Sequence, residues 1–489
     1  MAYKDLRDWL KQAEELGEVV RLEGIHWELE ASAAATMTNK VIVFDKVPGY
    51  PPGHRLVTNL AKTTLKRFFL TSGWSTEARG LALTKAWMER MREFKPCPPK
   101  TVEGGPVMEN IQTGKDVDLF KFPVPRGHEK EGGRYIGSAD CVIVRDPDTG
   151  RVNLGTYRMQ VHDRSTVGIN FQESKDARII MDKYHQQGKP CPVVALVGVD
   201  PALFKTATSH LVNVGGLEDL DFVGWLKGQP EEVFAGKYTG LPIPAHAEIA
   251  LEGEIPVGKT RPEGPFTEWC GMSLKKDLPF IEVKTVYHRD NPILTVTLGR
   301  EVKPPGPEGL RMEFHSSAII WDEMEKAGVR GIRGVARYGT RLTVVSLHNL
   351  YAGHSRQAGL VASQVHAGAN STSYVIVVDA DIDPTDIQAV VWAMVNRVEP
   401  KRAIQMLEYC CTDHLGIMSP EAEQKQEPPL RKGGFYVSRA IIDTCRPVEW
   451  DPAWHQDVVI SQELKEKVRQ KCGALLSDEG SAAKLPRKR

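Results

Sequence analysis

The stretch Asn153-Leu-Gly-Thr-Tyr-Arg158-Met-Gln-Val-His162-Asp163 has the composition of a β-strand in which polar residues stand among apolar neighbours. Asn153 and Arg158 lie an odd number of residues apart, so in an unbulged strand their side chains face opposite sides of the sheet. Gly155 lies between them and fits a bulge that re-aims one of the two. Because an unpaired buried arginine costs several kcal/mol, Arg158 needs an anion, either in a structural salt bridge or in a functional site.

Further strand-like runs extend on both sides of this stretch, from about Val107 to Leu298, with a helical pattern between them at Ala177–Gln187. They predict a mixed α/β domain with much antiparallel pairing. Ahead of this domain, an amphipathic helix ends at Gly17 and a second helix is expected at Thr76–Phe94. The predicted strands are Cys141–Arg145, Val152–His162, Pro192–Val199, Glu248–Ile255 and Phe280–Thr297.

The strongest break in the sequence is Lys303-Pro-Pro-Gly-Pro-Glu-Gly309, after which apolar residues return at helical spacing over Leu310–Ala327. We place the main domain boundary at this break. Beyond it strand and helix alternate, which favours a small sheet covered by helices. The predicted elements are strands at Leu342–Leu347 and Tyr374–Asp379 and helices at Ser355–Ala367 and Pro384–Arg397. The predicted division is 1–305 for the first domain, with a helical part at 1–105, then 306–328 for a linker helix, 329–448 for the second domain and 449–489 for an extension.

The 489 residues carry 63 Lys and Arg against 63 Asp and Glu, so no overall field draws the protein to nucleic acid or to an anionic membrane. No apolar stretch approaches the roughly 20 residues of a membrane helix, and no export signal is visible. The eight cysteines show no CxxC spacing, which argues for reduced thiols and a cytoplasmic location. The basic end, Lys484–Arg489, fits a solvated tail better than a nucleic-acid patch.

A second unusual stretch is Glu263-Gly-Pro-Phe-Thr-Glu268, in which Gly264 and Pro265 force a turn and so hold two carboxylates close together. Such a pair can keep one carboxylate ionised and the other protonated as an acid. A solvated surface turn is the alternative. Phosphate-loop, HExxH, GxSxG and strand-following GxGxxG motifs are missing, so hydrolase and dinucleotide-enzyme interpretations lose support.

Together, the two stretches resemble the UbiD family of reversible decarboxylases. That family carries an N-x-G-x-Y-R strand and an E-G-P-[FY]-x-[ED] turn in this order, here at Asn153–Arg158 and Glu263–Glu268. The similarity continues at Pro192–Pro201, Tyr351–His354 and Val377–Asp381, and it covers roughly residues 1–450. The resemblance implies an N-terminal flavin-binding domain related to split barrels, a long linker helix and a C-terminal α/β domain used in oligomerisation.

The resemblance also implies prenylated FMN as the cofactor. By position, Arg158, Glu263 and Glu268 look like the Glu-Arg-Glu network beside the reactive flavin carbon, with Glu268 as the proton donor. His354 and Arg356 correspond to groups near the mouth of the site, although a purely structural role for His354 stays open. The residues expected to contact the cofactor are Asn153, Thr156, Tyr157, Arg158, Lys175 and His354.

In this family a divalent ion, commonly Mn²⁺ or Mg²⁺, bridges the cofactor phosphate to an asparagine, a histidine and a glutamate, with K⁺ nearby. Asn153 matches the first ligand, but Asp176 stands in place of the histidine, and Asp219 or its neighbour Glu218 in place of the glutamate. An all-oxygen set of this kind still suits a hard cation. Asp176 as a helix N-cap without a metal role is the alternative, and Lys175 would then meet the phosphate itself.

The implied activity is that of a carboxy-lyase acting reversibly on an aromatic or heteroaromatic carboxylic acid. Prenylated FMN would bond covalently to the substrate carbon, CO₂ would depart, and Glu268 would protonate the adduct, while Arg158 orients the carboxylate or keeps Glu263 ionised. Net carboxylation at high bicarbonate is the same chemistry reversed. An ordinary FMN-dependent oxidoreductase and a non-catalytic assembly protein of the same fold stay open. The implied partners are a flavin prenyltransferase as cofactor supplier and further copies of the chain in a homodimer or hexamer.

Overall fold

The computed structural model describes residues 3–62, 64–172, 175–209, 218–268, 271–301, 312–369, 372–412, 435–448 and 460–476. The predicted break at Lys303–Gly309 and the basic end at Lys484–Arg489 lie outside these residues. None of the described helices has both the length and the apolarity needed to cross a bilayer. The helices are α1 (Leu6–Glu15), α2 (Glu30–Thr36), α3 (Leu65–Ser72), α4 (Gly80–Arg92), α5 (Asp176–Gln186), α6 (Pro201–Thr208), α7 (Asp219–Lys227), α8 (Phe314–Lys326), α9 (His354–Gln364), α10 (His366–Ala369), α11 (Ile387–Asn396), α12 (Pro400–Ala403) and α13 (Gln462–Leu476).

The strands are mixed with these helices along the whole chain, so the fold class is mixed α/β, as the sequence predicts. The strands are β1 (Val19–Glu23), β2 (Val41–Asp45), β3 (Arg55–Thr58), β4 (Lys100–Thr101), β5 (Asn110–Thr113), β6 (Tyr135–Gly137), β7 (Cys141–Arg145), β8 (Val152–Gly155), β9 (Met159–Val161), β10 (Thr166–Ile169), β11 (Cys191–Gly198), β12 (Glu232–Ala235), β13 (Pro242–Pro244), β14 (Ile249–Ile255), β15 (Arg261–Glu263), β16 (Thr267–Glu268), β17 (Gly271–Met272), β18 (Lys276–Leu278), β19 (Phe280–His288), β20 (Ile293–Thr295), β21 (Ile332–Tyr338), β22 (Leu342–Leu347), β23 (Tyr374–Asp379), β24 (Ile404–Thr412) and β25 (Phe435–Asp443).

The first domain is built on an antiparallel sheet, for which the described residues supply nine strands in the order β6-β9-β10-β19-β14-β11-β7-β8, with β5 also paired to β19. Strand β11 is buried on both faces: Val194 and Leu196 join one apolar core, and Val193, Ala195 and Val197 join another. Burial on both faces explains why its sequence is an unbroken apolar run rather than an alternating one.

The prediction of one long strand at Val152–His162 was wrong. Strand β8 pairs with β7 at one end of the sheet order, while β9 pairs with β6 and β10 at the other end. The chain leaves the sheet after Gly155, and the ring of Tyr157 folds back over this glycine so closely that a Cβ on Gly155 would lie only 2.5 Å from the ring. The predicted strand Phe280–Thr297 also divides, since β19 stays in this sheet and β20 joins β3.

The three residues Thr156–Arg158 connect the two ends of the sheet. Four Cα steps from Gly155 to Met159 span at most about 14 Å. Strand β8, the last in the order, must therefore lie close to β9, the second, so the sheet curls into a barrel whose edge strands β6 and β8 are not hydrogen-bonded to each other in the described residues. We call Thr156–Arg158 the seam connection. It places Arg158 where the barrel edges meet.

The second domain has a sheet with the order β21-β22-β23-β25-β24, in which β22, β23 and β25 run parallel. Its predicted strands Leu342–Leu347 and Tyr374–Asp379 are confirmed. The predicted helix Ser355–Ala367 is two helices, α9 and α10, and α11 begins after its N-cap Asp386 rather than at Pro384. Helix α8 packs between the domains, against α4 on one side and β21 on the other.

Candidate active site

Arg158 lies between the two carboxylates of the Glu263–Glu268 turn. Its Nε and Nη2 donate to the Oε1 and Oε2 of Glu263 at 2.9 and 2.8 Å, and its Nη1 donates to Oε1 of Glu268. Burial alone would lower the pKa of Arg158, but the hydrogen bonds and charge of Glu263 outweigh burial and raise it above its usual value. The three side chains therefore form a buried, charged network.

A close approach between two backbone segments positions this turn. Glu263 ends β15 and Glu268 ends β16, and Gly264 between them has a φ of +89°, which favours glycine. A Cβ on Gly132 would lie only 2.0 Å from the Gly264 carbonyl oxygen, so the approach requires glycine at 132 as well. The N–H of Gly132 donates to the Pro265 carbonyl at 2.9 Å and fixes the contact.

Tyr135 and Glu131 extend the network on one side. The hydroxyl of Tyr135 donates to the Pro265 carbonyl at 3.2 Å, and its ring packs on Phe266 with 4.4 Å between centroids. Burial, together with the charge of Glu263, raises the pKa of Tyr135 well above its usual value. The carboxylate of Glu131 accepts from the backbone N–H groups of Gly127, His128 and Thr267 at 2.8, 3.2 and 3.3 Å.

A second guanidinium, that of Arg300, lies on the other side of Glu268. Its Nη1 is 3.7 Å from Oε2 of Glu268 and donates to the Thr267 carbonyl at 3.2 Å. Burial lowers the pKa of Arg300, and the nearby carboxylate of Glu268 opposes that effect. Arg300 also lines a cleft, together with Ser32, Pro125, Gly127, Glu131, Tyr135, Ser138, Phe266, Thr267, Thr297, Leu298 and Gly299.

The predicted metal ligands lie on and around β8, in its part that precedes Gly155. The side-chain oxygen of Asn153 is buried and has no hydrogen-bond partner among the described residues. Asp219 accepts from the Leu154 N–H at 2.6 Å, and burial raises its pKa to about 7. Glu218 accepts from the Val152 N–H at 3.3 Å.

Asp176 is paired with Arg151 at 2.7 Å. The alternative of Asp176 as an N-cap is wrong, because Lys175 is the N-cap and Asp176 lies in the first turn of α5, where the helix dipole favours a carboxylate. In the part of the chain that the structure describes, no three His, Cys, Asp or Glu side chains cluster as metal ligands. A cation here would depend on the amide of Asn153 together with a carboxylate.

Thr156 and Tyr157 contact the buried carboxyl of Asp140, which the sequence did not indicate. The Tyr157 N–H donates to Oδ1 of Asp140 at 3.0 Å, and the Thr156 hydroxyl also hydrogen-bonds to it. Burial raises the pKa of Asp140 from 3.8 to about 8 against these two hydrogen bonds. The side chain of Tyr157 packs edge-on against Phe171 in the core, with 4.6 Å between centroids. Its predicted contact with the cofactor stays a prediction.

Lys175 and His354 lie on different domains. Lys175 precedes α5 and acts electrostatically on His366 of α10, as does Asp176. His354 is fully buried at the start of α9, where its Nδ1 accepts from the Leu350 N–H at 3.2 Å. These contacts tie His354 to its own loop, and its role towards a cofactor stays a prediction.

Sequence reasoning missed four side chains at this site: Glu131, Tyr135, Asp140 and Arg300. The only signal in the sequence was the Gly132-Gly133 pair beside Glu131, since paired glycines mark a close backbone approach. Arg300 follows Gly299 at the end of an apolar strand and looks like an ordinary surface residue in the sequence.

Two family models and several known proteins match most of this chain. Residues 100–301 match the family model described as UbiD, 3-octaprenyl-4-hydroxybenzoate carboxy-lyase Rift-related domain, and residues 312–444 match UbiD_C, the C-terminal domain of the same carboxy-lyase. Pyrrole-2-carboxylic acid decarboxylase of Pseudomonas aeruginosa is 32% identical over 73% of this chain and 72% of its own length. Vanillic acid decarboxylase of Sedimentibacter hydroxybenzoicus in its closed form has a TM-score of 0.80 and 25% identity, covering 98% of this chain and 100% of that one.

The fold likeness extends to an evolved dimeric form of the UbiD-class enzyme HmfF from Pelotomaculum thermopropionicum, whose structure is in complex with prFMN. Its TM-score is 0.73 at 22% identity, and the match covers 94% of this chain and 98% of that one. At this level of identity the likeness concerns the fold alone.

Proposed function

Because this chain belongs to the UbiD family of carboxy-lyases, we propose that it is a reversible decarboxylase of an aromatic or heteroaromatic carboxylic acid that uses prenylated FMN. The observation that carries this proposal is the buried Glu263–Arg158–Glu268 network beside a cleft. The names of the relatives, pyrrole-2-carboxylic acid decarboxylase and vanillic acid decarboxylase, support a ring acid as the substrate.

The two carboxylates differ in a way that supports Glu268 as the proton donor. The side chain of Glu263 is 0% exposed and accepts two bonds from Arg158, whereas that of Glu268 is 16% exposed and accepts one. A group that gives up a proton in each turnover must regain one from solvent, which requires access. Glu263 then serves to fix the orientation of Arg158.

The reaction balances with these residues. The carbon–carbon bond to the carboxylate breaks, its electron pair stays on the ring carbon, CO₂ leaves, and the proton of Glu268 is transferred to that carbon. When bound, prenylated FMN supplies the electron sink that no protein side chain provides. In the reverse direction Glu268 accepts the proton that the ring carbon loses, and a high bicarbonate concentration favours carboxylation by mass action.

The residues at the end of β8 fit a cation at the cofactor phosphate. Asn153 offers a buried oxygen without a partner among the described residues, and Asp219 offers a carboxylate whose pKa is raised by burial. We assign the divalent ion, Mn²⁺ or Mg²⁺, to Asn153 and Asp219, with Asp176 or Glu218 as further candidates. The K⁺ ion belongs to the same proposal, and Lys175 is assigned to the phosphate.

The test is to co-express the chain with a flavin prenyltransferase, to identify the bound flavin by absorption and mass, and to screen 4-hydroxybenzoate and pyrrole-2-carboxylate for CO₂ release and for deuterium uptake from D₂O. Glu268→Gln is expected to retain the flavin and lose turnover, while Glu89→Gln, an exposed residue of α4, retains both. Activity with plain FMN and a nicotinamide donor would instead favour an oxidoreductase. Flavin-loaded protein that turns over no acid would favour an assembly protein.

Oligomerisation through the second domain is a separate part of the proposal. Helix α11 exposes Val391, Trp392 and Val395 at 42, 50 and 68%, and such an apolar face supports contact with another copy of the chain. Trp392→Glu is expected to lower the mass found by analytical ultracentrifugation. An unchanged mass would exclude this face from the interface.

A further inference from the structure

Arg158 is poorly placed to bind the carboxylate of a substrate. All three of its guanidinium nitrogens donate to Glu263 or Glu268, and its positive charge is already balanced by the carboxylate of Glu263. A substrate carboxylate approaching this group would meet a neutral ion pair in a desolvated setting, where an anion without a positive partner is costly. An anionic substrate therefore needs another cation to enter the site.

Arg300 meets this need. Of the described residues that line the cleft, it is the one that carries a positive charge. Its side chain is 22% exposed, so the guanidinium is accessible from the cleft and yet largely desolvated, the condition in which an arginine binds a carboxylate most strongly. The guanidinium carbons of Arg300 and Arg158 lie 5.4 and 5.3 Å from the centroid of the Phe266 ring, so both act within the same small space.

The charge balance of the site points the same way. With the proposed proton donor Glu268 protonated, Arg158 and Arg300 face the carboxylates of Glu263 and Glu131, so the site is neutral, and the charge of Glu131 is stabilised by three backbone N–H groups. Without Arg300 the site would carry one net negative charge and would repel an acid. We propose that Arg300 is the residue that binds the carboxylate of the incoming substrate, an inference that rests on the proposed function.

This assignment divides the work between the two arginines. Arg158 fixes the proton donor, and Arg300 draws the substrate carboxylate towards Glu268. The contact with Arg300 exists only while the substrate is an anion, since CO₂ is neutral and is not held by a guanidinium. Arg300 therefore determines specificity for an acid over its neutral analogues.

The test compares benzoate with benzamide, which share ring and shape and differ by one charge. Both are titrated calorimetrically into the flavin-loaded protein, and KM and kcat are measured with whichever acid the wild type decarboxylates. Arg300→Gln is expected to weaken benzoate binding and raise KM by about 10- to 100-fold, the loss of one charge-assisted contact, and to leave benzamide within about twofold. Arg300→Lys restores part of the benzoate affinity, and Arg164→Gln, an exposed arginine, changes neither ligand.

An equal loss of both ligands in Arg300→Gln would overturn the proposal, because it would assign Arg300 to holding the Thr267 carbonyl and the turn. Unchanged benzoate binding would overturn it as well. If Arg300→Gln does not fold, Arg300→Lys decides, since a structural role predicts no selective effect on benzoate. The proposed function fails separately, when the wild type decarboxylates no acid, and charge-selective binding of benzoate through Arg300 would survive that result.

Discussion

Glutamine substitutions at the two carboxylates of Arg158 are expected to separate stability from catalysis. Glu263 is fully buried and accepts two parallel bonds from Arg158. A glutamine there turns an amide N–H towards a guanidinium N–H, so one bond is lost and the other loses its charge. Glu268 accepts one bond from Arg158, and a glutamine can keep that bond through its carbonyl oxygen.

The magnitudes follow from these contacts. A hydrogen bond to a charged group contributes about 1.5–3 kcal/mol, so Glu263→Gln is expected to lower the free energy of unfolding by about 3–5 kcal/mol. For Glu268→Gln, which is partly exposed and keeps its bond, we expect a loss of about 1–2 kcal/mol. Turnover is expected to have the opposite order, because Glu268→Gln removes the proposed proton donor while Glu263→Gln only loosens Arg158.

Stability is measured by urea unfolding of the flavin-free protein, monitored by tryptophan fluorescence at one fixed protein concentration. Turnover is measured separately as kcat of the flavin-loaded protein. Glu89→Gln serves as the control and is expected to stay within about 0.5 kcal/mol of the wild type. Equal losses of stability for the two variants, or a larger loss for Glu268→Gln, would refute the reasoning, since both results require a network in which Glu263 is not the anchor.

Three further results are expected. Asp140→Asn should stabilise the flavin-free fold relative to the wild type, increasingly so as the pH rises from about 4 to about 8, because the folded wild type holds a proton on Asp140 that its unfolded chain releases above 3.8. The gain in the free energy of unfolding should reach on the order of 4 kcal/mol at pH 7. A pH-independent difference between variant and wild type would contradict this expectation. Asn153→Ala should lower the manganese content of purified flavin-loaded protein, measured by mass spectrometry of the metal, and an unchanged content would remove Asn153 from the site. Gly132→Ala should cost about 1–3 kcal/mol of stability and lower turnover, since its methyl group displaces the Gly264 carbonyl, and wild-type values for both would show that the two segments can part freely.

Much of the fold could be predicted from the sequence because strands and helices leave local patterns. The runs at Leu342–Leu347 and Tyr374–Asp379 are strands with the predicted bounds, since burial on a parallel sheet demands a continuous apolar run. The run at Val152–His162 was wrongly predicted as one strand because both of its halves have the composition of a strand. At the break the ring of Tyr157 packs over Gly155, a contact that composition does not encode.

The site divides in the same way. The contact of Arg158 with Glu263 and Glu268 was predicted from the resemblance, and the side chains do lie within hydrogen-bonding distance. Asp140 and Arg300 could not be identified from the sequence, because their roles depend on burial or on contacts with residues far away in the chain. An aspartate before a strand and an arginine after one are ordinary in a sequence, and only the folded barrel makes one a buried acid and the other a lining cation.

The seam connection couples the position of Arg158 to the width of the barrel. One extra residue between Gly155 and Met159 would add about 3.5 Å of slack, whereas hydrogen bonds to a guanidinium tolerate a range of only about 0.5 Å. The length of the seam connection therefore limits how far the barrel edges can separate, and it fixes the position of Arg158. Substitutions of lining residues can change the shape of the cleft. An insertion in the seam connection, in contrast, would separate Arg158 from both Glu263 and Glu268.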